Sequence, residues 1–206
     1  MRGKKVLIIS ILLLTATIIS LAMSQKESKY NYYGQFLNSI SEKQNGEVEN
    51  DFLSQNKIDK LSYFYEHMAN SRLDAGQSPT AKAIEVLIQN RALEKEAIKR
   101  GMSVYEDEIQ TLIDFSIEQS KAHEDKEFNE FLNGLGITVE EYYGKYVYDR
   151  FKAKLLENKL FDEVTKNENT PQDKVTVWKK ESTSIIEKFK AENKEKIEKV
   201  KEQNKL

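Results

Sequence analysis

The chain has 206 residues, of which 39% are hydrophobic and 32% charged, with 8 Gly, 2 Pro and no Cys. That mixture suits a helical protein with a modest core, and so few Gly and Pro leave little material for the turns of a β-sandwich or barrel. The lack of Cys removes disulfides, thiolate metal sites and cysteine nucleophiles together. The net charge of −2 hides an asymmetry: residues 1–23 carry Arg2, Lys4 and Lys5 and no acid, leaving 29 basic and 34 acidic side chains behind them. A mildly acidic exterior repels phosphate backbones, so nucleic-acid binding is not expected.

Arg2, Lys4 and Lys5 precede an apolar run from Val6 to Met23, broken only by Ser10, Thr15, Thr17 and Ser20. As a helix this run would reach roughly 27 Å, close to the thickness of a bilayer core. Basic residues in front of it hold its start in the cytoplasm, so the chain that follows is expected outside. Two outcomes fit: a single-pass membrane anchor, or a signal peptide cleaved near Ser20-Leu21-Ala22 or Ala22-Met23-Ser24. Residues 24–56 read as a polar linker, whose Tyr30, Tyr32, Tyr33 and Phe36 could rest at a membrane interface.

Residues 57–206 read as helices. The first spans 57–75, with Ile58, Leu61, Tyr65, Met68 and Arg72 recurring at steps of three or four, and Gly76 as its stop. Ser78 followed by Pro79 marks the next start. Its wide apolar stripe (Ala83, Ile84, Val86, Leu87, Ile88, Leu93, Ala97, Ile98) implies packing on more than one side before Gly101 ends it. Ser103 and Glu106 have capping-box spacing and open a helix to about His123, with Ile109, Leu112, Ile113, Ser116 and Ile117 inward. A short helix at 125–133 brings Phe128, Phe131 and Leu132, and Gly134 and Gly136 break it. Thr138 and Glu141 form a second capping box before a long helix at 139–165. A polar break at 167–174 precedes a last helix from about 175, with Trp178, Ser182, Ile185, Phe189, Ile197 and Val200 in its stripe. The Lys- and Glu-rich end of that helix is expected to be solvated and frayed, with Glu192–Lys196 and Glu195–Lys199 as pairs four apart.

Catalytic patterns do not emerge. His67 and His123 each lack a second histidine at ligand spacing, so no zinc motif forms and neither a metal nor a cofactor is expected. Gly134-Leu135-Gly136 lacks the remainder of a phosphate loop, and no G-x-S-x-G elbow occurs. The unusual feature is the aromatic group Tyr142, Tyr143, Tyr146 and Tyr148. Core packing accounts for part of it; the remaining rings could line a groove for extended polypeptide, with Phe128 and Phe131 close by in sequence.

Two blocks carry a family resemblance. The stretch from Ile84 to Leu93 and from Glu96 to Val104, running on into Tyr105-Glu106-Asp107-Glu108-Ile109, resembles the N-terminal chaperone region of SurA- and PrsA-like foldases. A second block (Phe128, Phe131, Leu132, Leu135, Gly136, Ile137, Thr138, Glu140, Glu141 and Tyr142) is similar to the turn before that region's long helix. Trp178 and the helix around it look like the module's returning C-terminal helix. In full foldases a parvulin-type isomerase domain lies between those two helices. Here the chain passes from Val164 to Trp178 with no room for one, so prolyl isomerase activity is not carried over. The family's early strand has a possible counterpart in Asn45-Gly46-Glu47-Val48.

The resemblance implies an all-α, irregular bundle of about five helices behind an N-terminal hydrophobic helix. It implies a non-enzymatic chaperone that binds unfolded exported polypeptides, with Tyr142, Tyr143, Tyr146, Phe128 and Phe131 as client-contacting candidates. An envelope scaffold with one dedicated partner is the competing expectation.

Overall fold

Helix starts in this chain are set by side chains that satisfy orphan backbone N–H groups. In the computed structural model, which describes residues 28–42 and 51–206, Ser78 Oγ accepts from the Ala81 N–H at 3.1 Å and Pro79 fills the first helical position. Asp125 Oδ1 accepts from the Glu127 and Phe128 N–H groups. Thr138 and Glu141 close a reciprocal capping box. Thr170 Oγ1 accepts from the Asp173 N–H at 3.1 Å, ahead of Pro171. Replacing Ser78 by Ala is expected to lower stability by about 1 kcal/mol, read as a shifted urea midpoint at constant slope.

The described residues form nine helices and no strand: α1 Lys29–Glu42, α2 Gln55–Tyr63, α3 Pro79–Lys99, α4 Glu106–Ala122, α5 Lys126–Leu135, α6 Val139–Glu141, α7 Tyr148–Val164, α8 Pro171–Glu192 and α9 Lys194–Gln203. The all-α expectation holds, with more and shorter helices than the sequence suggested. The run Val6–Met23 lies outside the described residues, as does Asn45–Val48. No helix among the described residues is long and apolar enough to cross a membrane.

Several elements differ from expectation for identifiable reasons. Residues 29–42, read as linker, are a helix because Tyr30 and Leu37 are buried against α5. The helix expected at 57–75 changes pitch after Tyr63 into a π turn, Phe64–Met68, closed by the Ala69 N–H on the Phe64 carbonyl at 3.0 Å. Tyr65 is thereby buried, while Met68 packs against the α1–α5 cluster. The helix expected at 139–165 is likewise interrupted by a π turn, Tyr142–Tyr146, with the Val147 N–H on the Tyr142 carbonyl at 3.0 Å. The start of α4 lies beyond Ser103, whose carbonyl accepts from Lys159 Nζ; there the Tyr105 N–H donates to Glu108, which also pairs with Lys159 at 2.7 Å. Ile98, placed in the inward stripe of α3, is 54% exposed.

The C-terminal end is packed rather than frayed. The helix expected from 175 begins at Pro171 and breaks at Asn193, whose side chain donates to the Phe189 carbonyl. The break folds α9 back so that Ile197 and Val200 are buried with Leu53, Ile58, Ile84, Ile88 and Phe189. Lys196 reaches Asp51 at 2.6 Å and Glu192 reaches Lys95 at 3.7 Å, in place of the two local pairs expected. Burial raises the Asp51 carboxyl, but hydrogen bonds from Lys196 and the Leu53 N–H outweigh it and hold the group below its ordinary range.

Apolar packing is divided among small clusters strung between helices. The C-terminal cluster just described adjoins a second one of Leu93, Ala97, Leu156 and Leu160 through Ile185. Val104 joins the second to a third, built on Ile109, Leu112, Ile113, Tyr143, Val147 and Phe151. Phe128, Val139 and Tyr142 join the third to a fourth, that of α1 and α5. The circuit closes through α2, because Ile58 belongs to the first cluster and Met68, one π turn on, packs on the fourth. A segmented core of this kind leaves seams between helices where concave surface can form.

Candidate functional site

The structure brings the five aromatic candidates together. Phe128 and Phe131 lie on one face of α5, three residues apart, and meet the π turn at Tyr142–Tyr146 edge-on: Phe128 to Tyr142 at 5.3 Å and 72°, Phe131 to Tyr142 at 5.6 Å and 87°. Tyr142 contacts Tyr143 at 5.1 Å and stacks with Tyr146 at 5.8 Å. Edge-to-face rings at these separations are favourable pairs in their own right. Phe131 and Tyr143 are buried, Tyr142 and Phe128 are half-buried, and Tyr146 alone of the five is exposed, at 37%. The rings therefore meet one another across a helix junction, and only Tyr146 presents substantial open surface.

Burial pushes the Tyr142 hydroxyl up to about 12, against the opposing pull of Arg150. Burial also raises Tyr33, beside the same layer, and Tyr143, whose hydroxyl is paired with Ser120 Oγ at 3.0 Å. These phenols stay neutral near neutral pH, so they serve as apolar rings with polar tips rather than as acids or bases.

Open concave surface lies elsewhere. Between α3, the end of α8 and α9 runs a groove of about 690 Å³, whose open apolar surface comes from Ala81, Ala191 and Leu206, while Ile84, Ile88 and Ile197 lie buried beneath it. Its rim carries Glu85, Glu187, Lys190, Lys194, Glu198 and Lys201. Most of these charges already have partners: Glu187 with Lys190 at 2.8 Å, Glu198 with Lys201 at 3.0 Å, and Glu85 with Lys82 at 3.4 Å. A rim neutralised in this way exerts little net field, so selection by a ligand's charge is weak and the open apolar surface supplies the attraction. The break at Asn193 packs Ile197 of α9 onto Ile84 and Ile88 of α3 and leaves the groove above that contact, rimmed by the charged side chains of α8 and α9.

On the other side of the α3–α8 contact the surface is charged. Arg100, at the end of α3, donates to Glu96 at 2.8 Å, to Glu163 of α7 at 2.9 Å and to Glu181 of α8 at 2.8 Å. Hydrogen bonds to Glu96 and Glu181 hold the guanidinium above even its usual range, with burial opposing and Glu163 adding to them. One cation thus ties three helices together.

The histidines take no part in a cluster. The His67 ring lies tilted on Tyr63 at 4.2 Å, 3.6 Å from Glu66; His123 follows the last residue of α4 and is exposed. Among the described residues no group of three His, Cys, Asp or Glu side chains is placed to hold a metal ion.

Sequence reasoning named the aromatic layer and missed the groove. Half of the groove was signalled, since the stripe of α3 is too wide for a single partner and includes Ile84 and Ile88. Of the other half, Ile197 was placed in the stripe of the last helix, whereas Ala191 and Leu206 sit in a Lys- and Glu-rich segment with no local sign of a tertiary contact. No family model, curated protein or solved structure matches the chain.

Proposed function

We propose that this protein is a non-catalytic, extracytoplasmic binder of unfolded exported polypeptides, and that client segments lie in the groove between α3, α8 and α9. The observation that carries the reading is an open groove with accessible apolar surface at Ala81, Ala191 and Leu206 and a self-neutralised rim. Such a surface attracts exposed apolar segments with little preference for sequence or charge. Affinity is expected to be modest, because a disordered client loses chain entropy when it is ordered on the groove. The resemblance of residues 80–200 to SurA- and PrsA-like chaperone regions supports the same class of activity, and the apolar segment at the N-terminus supports work outside the cytoplasm. Prolyl isomerisation is not part of the proposal.

The test is suppression of aggregation, measured by light scattering with several unrelated unfolded clients. Ala81→Glu and Ala191→Lys each place a charge in the groove. Neither disturbs a helix: Ala191 is exposed, and Glu at position 81 would complete a capping box with Ser78. Because a bound apolar segment would have to bury that charge, both variants are expected to hold clients at least about tenfold more weakly, a difference of roughly 1.4 kcal/mol. Failure of the unaltered protein to delay aggregation of any client, or full activity in both variants, would overturn the proposal. Tight binding of a single partner without holdase activity would favour a dedicated envelope scaffold.

A further inference from the structure

Helices α1 and α5 are joined to each other differently from the way they are joined to the rest of the protein. Their backbones touch. A Cβ on Gly34 would stand 2.6 Å from the Leu135 nitrogen and 2.8 Å from the Gly134 carbonyl carbon, and one on Gly134 would stand 2.8 Å from the Asn31 carbonyl carbon. Asn31 Nδ2 also donates to the Glu130 carbonyl at 3.2 Å. With Tyr30, Leu37, Phe131, Leu132 and Leu135 buried between them, the two helices form one close-packed pair.

Rings form the principal contacts from this pair to the remaining helices, with Met68, Ile137 and Val139 packed beside them. Phe36 stacks on Tyr63 at 4.0 Å and 16°, and Tyr33 stacks on Tyr63 at 5.8 Å and 12°. On the other side, Phe128 and Phe131 meet Tyr142 edge-on. The near-parallel ring faces on Tyr63 resist separation but offer little resistance to sideways sliding, whereas the edge-on contacts make Tyr142 a point about which the pair can turn. The receiving rings sit at the two π turns: Tyr63 immediately precedes Phe64–Met68, and Tyr142 begins Tyr142–Tyr146. A π turn holds one extra residue and can exchange its i→i+5 bond for an α-type bond with a small shift of backbone. The chain also leaves helical conformation on both sides of α5, at His123–Asp125 and at Gly136, whose φ is +74°.

We propose that α1 and α5 move as one rigid pair, sliding on the ring face of Tyr63 and turning about Tyr142, and that this motion uncovers aromatic surface that is covered in this structure. The device lies outside the groove, and its test uses the protein alone, so it stands or falls independently of client binding. The sequence lacks cysteine, so introduced labels are unique. Spin labels on the full chain at Gln35→Cys and Asn129→Cys report within the pair; labels at Asn133→Cys and Lys152→Cys report between the pair and α7. All four positions are exposed. Pulsed dipolar measurements are expected to give one narrow distance within the pair and a distribution about twice as broad, or split in two, between the pair and α7. Equal, narrow distributions for both label pairs would overturn the proposal.

Discussion

Replacing Gly34 by Ala is expected to lower the stability of the protein by about 3 kcal/mol, among the largest effects of any single methyl group added to the chain. The added carbon would collide with backbone on the facing helix: the Phe131 carbonyl oxygen, the Leu135 nitrogen and the Gly134 carbonyl carbon. Backbone atoms of a helix cannot rotate aside as a side-chain terminus does, so α1 and α5 must separate. Separation opens the burial of Tyr30, Leu37, Leu132 and Leu135 and lengthens the Asn31–Glu130 bond. Thermal unfolding should fall by about 10 °C for a chain of this size. Gly144→Ala is the control, because a Cβ there meets nothing within 4 Å and the position is exposed. That variant should be as stable as the parent or more stable by about 0.5 kcal/mol. Equal losses in the two variants would show that close backbone approach is not what holds α1.

Truncating Leu160 to Ala is expected to cost about 3–4 kcal/mol. Leu160 is fully buried in α7 and shares a cluster with Leu93 and Ala97 of α3 and with Leu156. That cluster is where α3, α7 and α8 meet, beneath the Arg100 clamp. Its small size makes the loss severe, because few neighbouring side chains can move in to fill the cavity and the divided core cannot redistribute the strain. Ile98→Ala, next in the chain to Ala97 of this cluster but 54% exposed, should change stability by no more than about 0.5 kcal/mol. Denaturant midpoints with unchanged slopes would measure both. A small effect at Leu160 would mean that the cluster is not a site of cooperative packing.

The sequence by itself determined the limits of α3 and the approximate limits of α4 and α5, because those signals act within four residues of the chain. Ser78 with Pro79 and Thr138 with Glu141 cap helices with atoms that are local by construction, whereas the equally local cap of Thr170 before Pro171 lay in a stretch read as a polar break. Gly76, Gly101 and Gly136 occupy left-handed positions that an ordinary residue adopts with difficulty. The inward face of α4 was equally legible, since Ile109, Leu112, Ile113 and Ser116 repeat at helical spacing.

Tertiary structure decided the rest. Residues 29–42 are polar enough to resemble a linker until Gly34 meets Gly134, a contact between residues a hundred positions apart that no local pattern announces. Gly134, expected to break a helix, instead lies within α5 and permits that approach. The two π turns arise where a helix must serve clusters on either side of it, which is a demand of packing and not of propensity. Ile197 and Val200 become core only because Asn193 turns α9 back onto Leu53 and Ile58, and the same turn leaves the groove open. Helix limits follow from short-range hydrogen bonding, whereas grooves and seams follow from how distant helices do or do not meet; the first is written along the chain, and the second exists only once the chain has folded.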